Sequence, residues 1–439
     1  MISSPPVYEA GTFLASTSSL PAYSARRSEG GPVSGSRGST EHIFSLQDKK
    51  KKPWITLKVL SSAPTSASLP TFLEGNRIEG CVELDLSNGE KITGASVLIR
   101  GEIITGTKER DRLRFLDITI PLWPKPESSS GGRVSPGHCH WPFEINIPKD
   151  VILADPERPG VVRSYSLPQT FLERGTNASA HYYLSLQIIR GARLFREEDE
   201  VKTMFVYVPA VRPDPPSVSR QLAYQENVPI PGPEIDMDGW HSCPPVILKG
   251  KVFNNRRVEV QCVLSLAKPL SYTRGTVVPC YLNYFCPDLQ ALNLLCTPSA
   301  INVCLRRQVK CRSISTASGH SIATDDAEEI CRAVWSPVKE EARRQETRRF
   351  EGEIHLPKSM KPSSAISHFT LKYFVIILPF KVTGFSSEDT QPLVQQEVEI
   401  ATMFAKGPRA RRYAPATSEP AVNSALRKHP TSPDFNVWR

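Results

Sequence analysis

The chain has 439 residues, too many for one ordinary core and suited to two domains plus tails. At 39% hydrophobic and 23% charged residues, with 39 Pro against 25 Gly, it reads as a soluble globular protein built from strands and loops rather than helical bundles. The net charge of +9 sits in the ends: residues 1–52 carry seven basic and four acidic side chains and 406–439 carry seven and two, which leaves 40 against 39 between them and argues against a dedicated duplex-binding surface.

Residues 1–52 are rich in Ser, Gly and Pro without sustained hydrophobic periodicity, and the pattern predicts a disordered arm. This arm holds Pro5-Pro6-Val7-Tyr8 and Leu20-Pro21-Ala22-Tyr23. Proline fixes φ near its polyproline II value, so such a tetrapeptide enters an aromatic groove with little ordering left to lose, and the tyrosine fills a neighbouring pocket. The same tetrapeptides can also arise by chance in a proline-rich chain. The N-terminus has neither a basic n-region nor an apolar h-region, so a cytoplasmic protein with free thiols is expected.

Alternation begins after the arm. Ile55, Leu57 and Val59 alternate, then Ile78, Val82 and Leu84 alternate with Glu79, Cys81, Glu83 and Asp85, and further strands are predicted at 95–104, 143–147, 182–189 and 203–208. Short strands separated by turn residues predict a β-sandwich over 53–208. The proline-dense segment 209–239 reads as an extended linker. Alternation resumes at 246–252 and 258–266, then at 280–284, 301–305, 350–356, 369–377 and 398–402, which predicts a second sandwich over 240–405. Within it, 312–347 reads as a charged insertion, with Glu340 and Arg344 at helical spacing. Residues 406–439 form a basic, disordered tail. The longest strongly apolar run, 369–380, is interrupted by Lys372 and falls short of the roughly 20 residues that cross a bilayer. A faint echo links FEINIPKD at 143–150 with FEGEIHLPKS at 350–359.

Several stretches together resemble the arrestin family, especially the fungal arrestin-related trafficking adaptors, or α-arrestins. They are FLEGNRIEGCVELDL (72–86), ASVLIRGEIITG (95–106), GHCHWPFEINIPKD (137–150), LPQTFLERGTNASAHYYLSLQIIR (167–190), PLSYTRGTVVPCYLNY (269–284) and FEGEIHLPKSMKPSSAISHFTLKYFVIIL (350–378). The resemblance implies an all-β fold of tandem immunoglobulin-like, arrestin-type sandwiches flanked by disordered tails. It also gives the arm a meaning: Pro5, Pro6 and Tyr8 match PPxY, and Leu20, Pro21 and Tyr23 match LPxY, the motifs by which α-arrestins recruit HECT ubiquitin ligases through WW domains. The implied function is a non-enzymatic adaptor linking cytosolic segments of membrane transporters or receptors to such a ligase for ubiquitination and endocytic sorting, with transient recruitment to plasma membrane or endosomes. Family members often carry these motifs in the C-terminal tail, which here offers only Arg412-Tyr413-Ala414-Pro415.

Other readings stay beside this one. An arrestin-fold scaffold of the vesicle-coat or retromer class would act without a ligase. The Lys49–Lys52 run fits an anionic-membrane contact, an import signal or a ubiquitin acceptor as well as a solvated charge cluster. Arg343, Arg344, Arg348 and Arg349 fit a contact for acidic tails or a solvated insertion. Gly319-His320-Ser321-Ile322-Ala323 approaches a hydrolase nucleophile elbow but sits in a Ser/Thr-rich loop, so no catalytic residue is assigned. His138-Cys139-His140 and Cys280, Cys286, Cys296, Cys304 and Cys311 lack any Cys-x-x-Cys pair. No metal, cofactor or nucleic-acid partner is expected.

Overall fold

Period-two alternation sets which side of each strand is buried. A computed structural model describes residues 39–48, 51–87, 92–105, 111–123, 137–173, 176, 178–191, 197–313, 322–338 and 345–414. The first half contains β1 (Thr40–Gln47), β2 (Pro53–Ser61), β3 (Thr71–Leu73), β4 (Arg77–Asp85), β5 (Ile92–Ile104), β6 (Arg112–Trp123), β7 (His138–Asn146), β8 (Asp150–Ala154), β9 (Val162–Ser166), β10 (Ser179–Arg190), β11 (Glu197–Met204) and β12 (Val206–Val208). One sheet runs β1-β2-β4-β7 and the other β11-β10-β5-β6, all antiparallel. Ile55, Leu57 and Val59 from the first and Tyr182, Leu184, Leu186 and Ile188 from the second fill the core. At both margins the sheets approach each other, β1 beside β11 and β6 beside β7, which shields their unpaired edges.

The second half contains β13 (Trp240–Ser242), β14 (Val246–Val252), β15 (Arg256–Ala267), β16 (Ser271–Thr273), β17 (Val277–Phe285), β18 (Val303–Ser313), β19 (Ile322–Pro337), β20 (Thr347–His355), β21 (Ser364–Ile366), β22 (Phe369–Ile377), β23 (Phe385–Ser387) and β24 (Val394–Ala401). Strand β19 pairs with β18 through residues 322–332 and with β20 through 333–337, so one strand serves both faces and a 12-stranded ladder curls into a sandwich-like sheet. Both halves belong to one compact unit that begins at Ser39.

The two halves repeat a construction. A three-residue strand, β3 or β16, pairs in parallel with the last strand of its half, β12 or β24. A turn through Gly75 (φ 84°) or Gly275 (φ 82°) follows, a backbone region where a side chain is strained. The strand after each turn, β4 or β17, then pairs with β7 or β20. On β10 Tyr182 donates its hydroxyl to the Pro168 carbonyl at 2.7 Å, and on β22 Tyr373 does the same to Lys361 at 2.7 Å. The echo between 143–150 and 350–359 therefore has an architectural counterpart, since β7 and β20 hold the same place in each half.

Three expectations change. Composition predicts a disordered arm to residue 52, but Thr40–Gln47 is a strand. His42 turns inward while Ile43 faces out at 59% exposure, an alternation too short and too polar to stand out in the sequence. The linker 209–239 is not extended throughout, because Ser217 caps a helix, α1 (Val218–Glu226), that contains no proline. The described residues of the insertion 312–347 are largely strand, since β18 extends to Ser313, β19 covers 322–337 and β20 starts at Thr347. Glu340 and Arg344 lie outside the described residues. A further short helix, α2 (Leu289–Leu295), is capped by Asp288, whose carboxylate accepts from Gln290 N and Ala291 N at 3.0 Å each.

Candidate functional site

Pro5, Pro6, Tyr8, Leu20, Pro21 and Tyr23 all lie outside the described residues. What the structure does place is β1, the first of the described strands. Thr40 Oγ1 donates to the Ala63 carbonyl at 2.6 Å, and a ring nitrogen of buried His42 lies 2.9 Å from Ser61 Oγ. Burial holds the His42 pKa below its ordinary value, so the ring is neutral at physiological pH and fits the apolar edge. The Lys49–Lys52 run belongs to the β1–β2 connection: Lys51 takes φ 59° and Lys52 N donates to Asp48 Oδ1 at 2.9 Å. Lys49 and Lys50 lie outside the described residues.

On the body, one junction joins the two halves and a second seats α1 on the second half. Phe171 packs against Phe369 with ring centroids 5.5 Å apart. Beside them Arg307 reaches Glu173 at 2.5 Å and Glu328 at 2.8 Å, and Arg274 donates to Gln169 Oε1 at 3.1 Å and the Met360 carbonyl at 3.0 Å. Burial lowers the pKa of Lys361 and Arg274 and raises that of Tyr373. The linker start is held on both sides, since Ala210 N donates to Glu74 Oε2 at 2.9 Å and Val211 N to Thr402 Oγ1 at 3.0 Å.

The second junction is built on Arg220 of α1, 1% exposed. Its guanidinium donates to the carbonyls of Lys268 (2.7 Å) and Gly239 (2.5 Å) and lies 5.0 Å from the Trp240 ring centroid. Asp236 is 4.0 Å away and also accepts from Ser217 Oγ. The chain after β24 crosses this region. Glu353 accepts from Tyr413 N at 2.9 Å and Ala414 N at 3.2 Å, Arg411 donates to Asn227 Oδ1 at 2.6 Å, and Tyr413 OH donates to the Val228 carbonyl at 2.8 Å. Residues 411–414, expected as free tail, thus form a strap over α1. Neither Arg220 nor Glu353 carries a sequence signal, because each contacts residues remote in the chain.

The remaining candidates disperse. Arg348 bonds Asn293 Oδ1 at 2.9 Å and Arg349 meets Glu234 at 2.6 Å, so both serve internal contacts, while Arg343, Arg344 and Ser321 lie outside the described residues. All ten cysteines are free thiols. Burial pushes Cys262, Cys304 and Cys331 up to about 12, which keeps them protonated and unreactive at neutral pH. His138 and His140 face solvent, while Cys139 between them packs on the core. Among the described residues, no helix is long and apolar enough to cross a membrane. Compared with known proteins, the chain matches no protein-family model and no curated protein.

Proposed function

We propose that the protein is a non-enzymatic adaptor: its β-sheet body receives cytosolic segments of membrane proteins, and the segment before β1 recruits a WW-domain HECT ubiquitin ligase. The observation that carries this reading is the pair of Pro-x-Tyr tetrapeptides, Pro5–Tyr8 and Leu20–Tyr23, both upstream of β1. Two motifs on one segment suit a ligase with several WW domains, because the second engagement is intramolecular and avidity exceeds either single affinity by roughly 100-fold or more.

Fluorescence titration of the full chain against a tandem WW fragment tests the reading. Tyr8→Ala and Tyr23→Ala should each weaken binding at least tenfold by loss of avidity, and the double variant should abolish it. Unchanged affinity in the double variant would remove ligase recruitment and favour a scaffold that sorts cargo without it.

A further inference from the structure

Strands β2, β4 and β7 carry a polar row on their solvent face. Alternation sends Ile78, Val82 and Leu84 of β4 into the core and leaves Cys81, Glu83 and Asp85 on the other side. Antiparallel pairing then sets His140 opposite Glu83 and His138 opposite Asp85. The Cys81 sulfur, a Glu83 carboxylate oxygen and a ring nitrogen of His140 lie within 4.8 Å of one another. Nδ1 of His140 is 3.7 Å from Glu83 Oε1, and Nδ1 of His138 is 4.0 Å from Asp85 Oδ1.

A tetrahedral zinc ion with bonds of about 2.0–2.3 Å needs ligand atoms roughly 3.3–3.8 Å apart, so small rotations of exposed His140 and half-exposed Glu83 close the cluster. Sulfur, imidazole nitrogen and one carboxylate form a set suited to a borderline-soft divalent ion rather than to calcium or magnesium, which favour oxygen-only shells. The sequence offered His138-Cys139-His140 as a run, but alternation removes Cys139 from that face and the fold supplies Cys81 instead.

We propose that Cys81, Glu83 and His140 form a surface site for a zinc-class divalent transition metal, with the fourth position open to water or to a partner's side chain. On binding, the Cys81 thiol gives its proton to solvent and the sulfur becomes an anionic ligand. Lys58 sets the affinity. It stands opposite Cys81 on β2, and its ammonium lies 2.7 Å from Glu83 Oε1, so an incoming cation competes with it for the carboxylate. Occupancy ties β4 to β7, the outermost strand of its sheet.

The test uses the full chain, freed of metal by chelator and titrated with cobalt(II) and zinc(II). Cobalt should produce near-ultraviolet sulfur-to-metal charge-transfer absorption together with visible bands of four-coordination, and equimolar zinc should displace both. Cys81→Ser should eliminate the near-ultraviolet band, whereas Cys139→Ser should retain it. In competition with a chromogenic chelator, His140→Ala should weaken zinc binding at least tenfold and Lys58→Met should tighten it severalfold, an effect that adventitious binding by scattered thiols would not show. The proposal is overturned if the band survives Cys81→Ser, if it is lost in Cys139→Ser, or if zinc affinity stays within twofold of the parent in both His140→Ala and Lys58→Met.

Discussion

Arg220 is among the largest fully buried side chains of the described residues, and its neighbours explain how an arginine is held there. Two carbonyls accept from its guanidinium, an indole ring lies beside it and a carboxylate stands nearby, so the charge is compensated where solvent is excluded. Burial lowers its pKa without threatening its charge. Replacing Arg220 by Met leaves the carbonyls of Lys268 and Gly239 without that donor and Asp236 without the nearby positive charge. The expected loss is about 3 kcal/mol, seen as a lower urea midpoint. Arg220→Lys should recover only part of it, because an ammonium cannot reproduce the two-pronged geometry. An unchanged midpoint for Arg220→Met would show that the α1 junction is not a stability determinant.

At the scale of elements, strand glycines under aromatic rings recur. Gly80 lies under Phe143, its partner on β7, and Gly352 under Trp335, its partner on β19, so a Cβ at either position would overlap the ring. The sequence shows these glycines but not their covers. Strand β19 escaped detection for a different reason. Its Asp325 and Glu328 face Lys310 and Arg307 of β18, and a strand whose exposed face is charge-paired lacks the apolar rhythm that reveals strands. Strand β1 makes a measurable case. A chain starting at residue 39 should melt within about 2 °C of the full chain, whereas one starting at residue 48 exposes the β2 edge and loses the His42–Ser61 contact. The shorter chain should therefore melt several degrees lower and aggregate; equal melting of both would mean that β1 adds nothing to the sheet.

Across the whole molecule, the contacts that unify the fold join segments far apart in sequence: Phe171 with Phe369, Glu173 with Arg307, Val211 with Thr402 and Glu353 with Tyr413. The strap is the most easily tested. Glu353→Ala removes the acceptor for two backbone N–H groups, so trypsin should cut after Arg411 and Arg412 about tenfold faster while the melting temperature changes little. Unaltered cleavage would show that the remaining contacts of Tyr413 and Arg411 hold the strap by themselves.

By itself the sequence determined the all-β class, many of the longer strands though not β6 or β19, and the two Pro-x-Tyr tetrapeptides, because period-two burial and proline stereochemistry are local properties written in consecutive residues. Only the tertiary structure decided that β19 bridges the two faces of the second sheet, that residues 411–414 bind back onto Glu353, and that His140 meets Cys81 and Glu83. Those outcomes depend on which strands become neighbours and in what register. Pairing register is settled by burial summed over whole sheets, and no short stretch of residues encodes it.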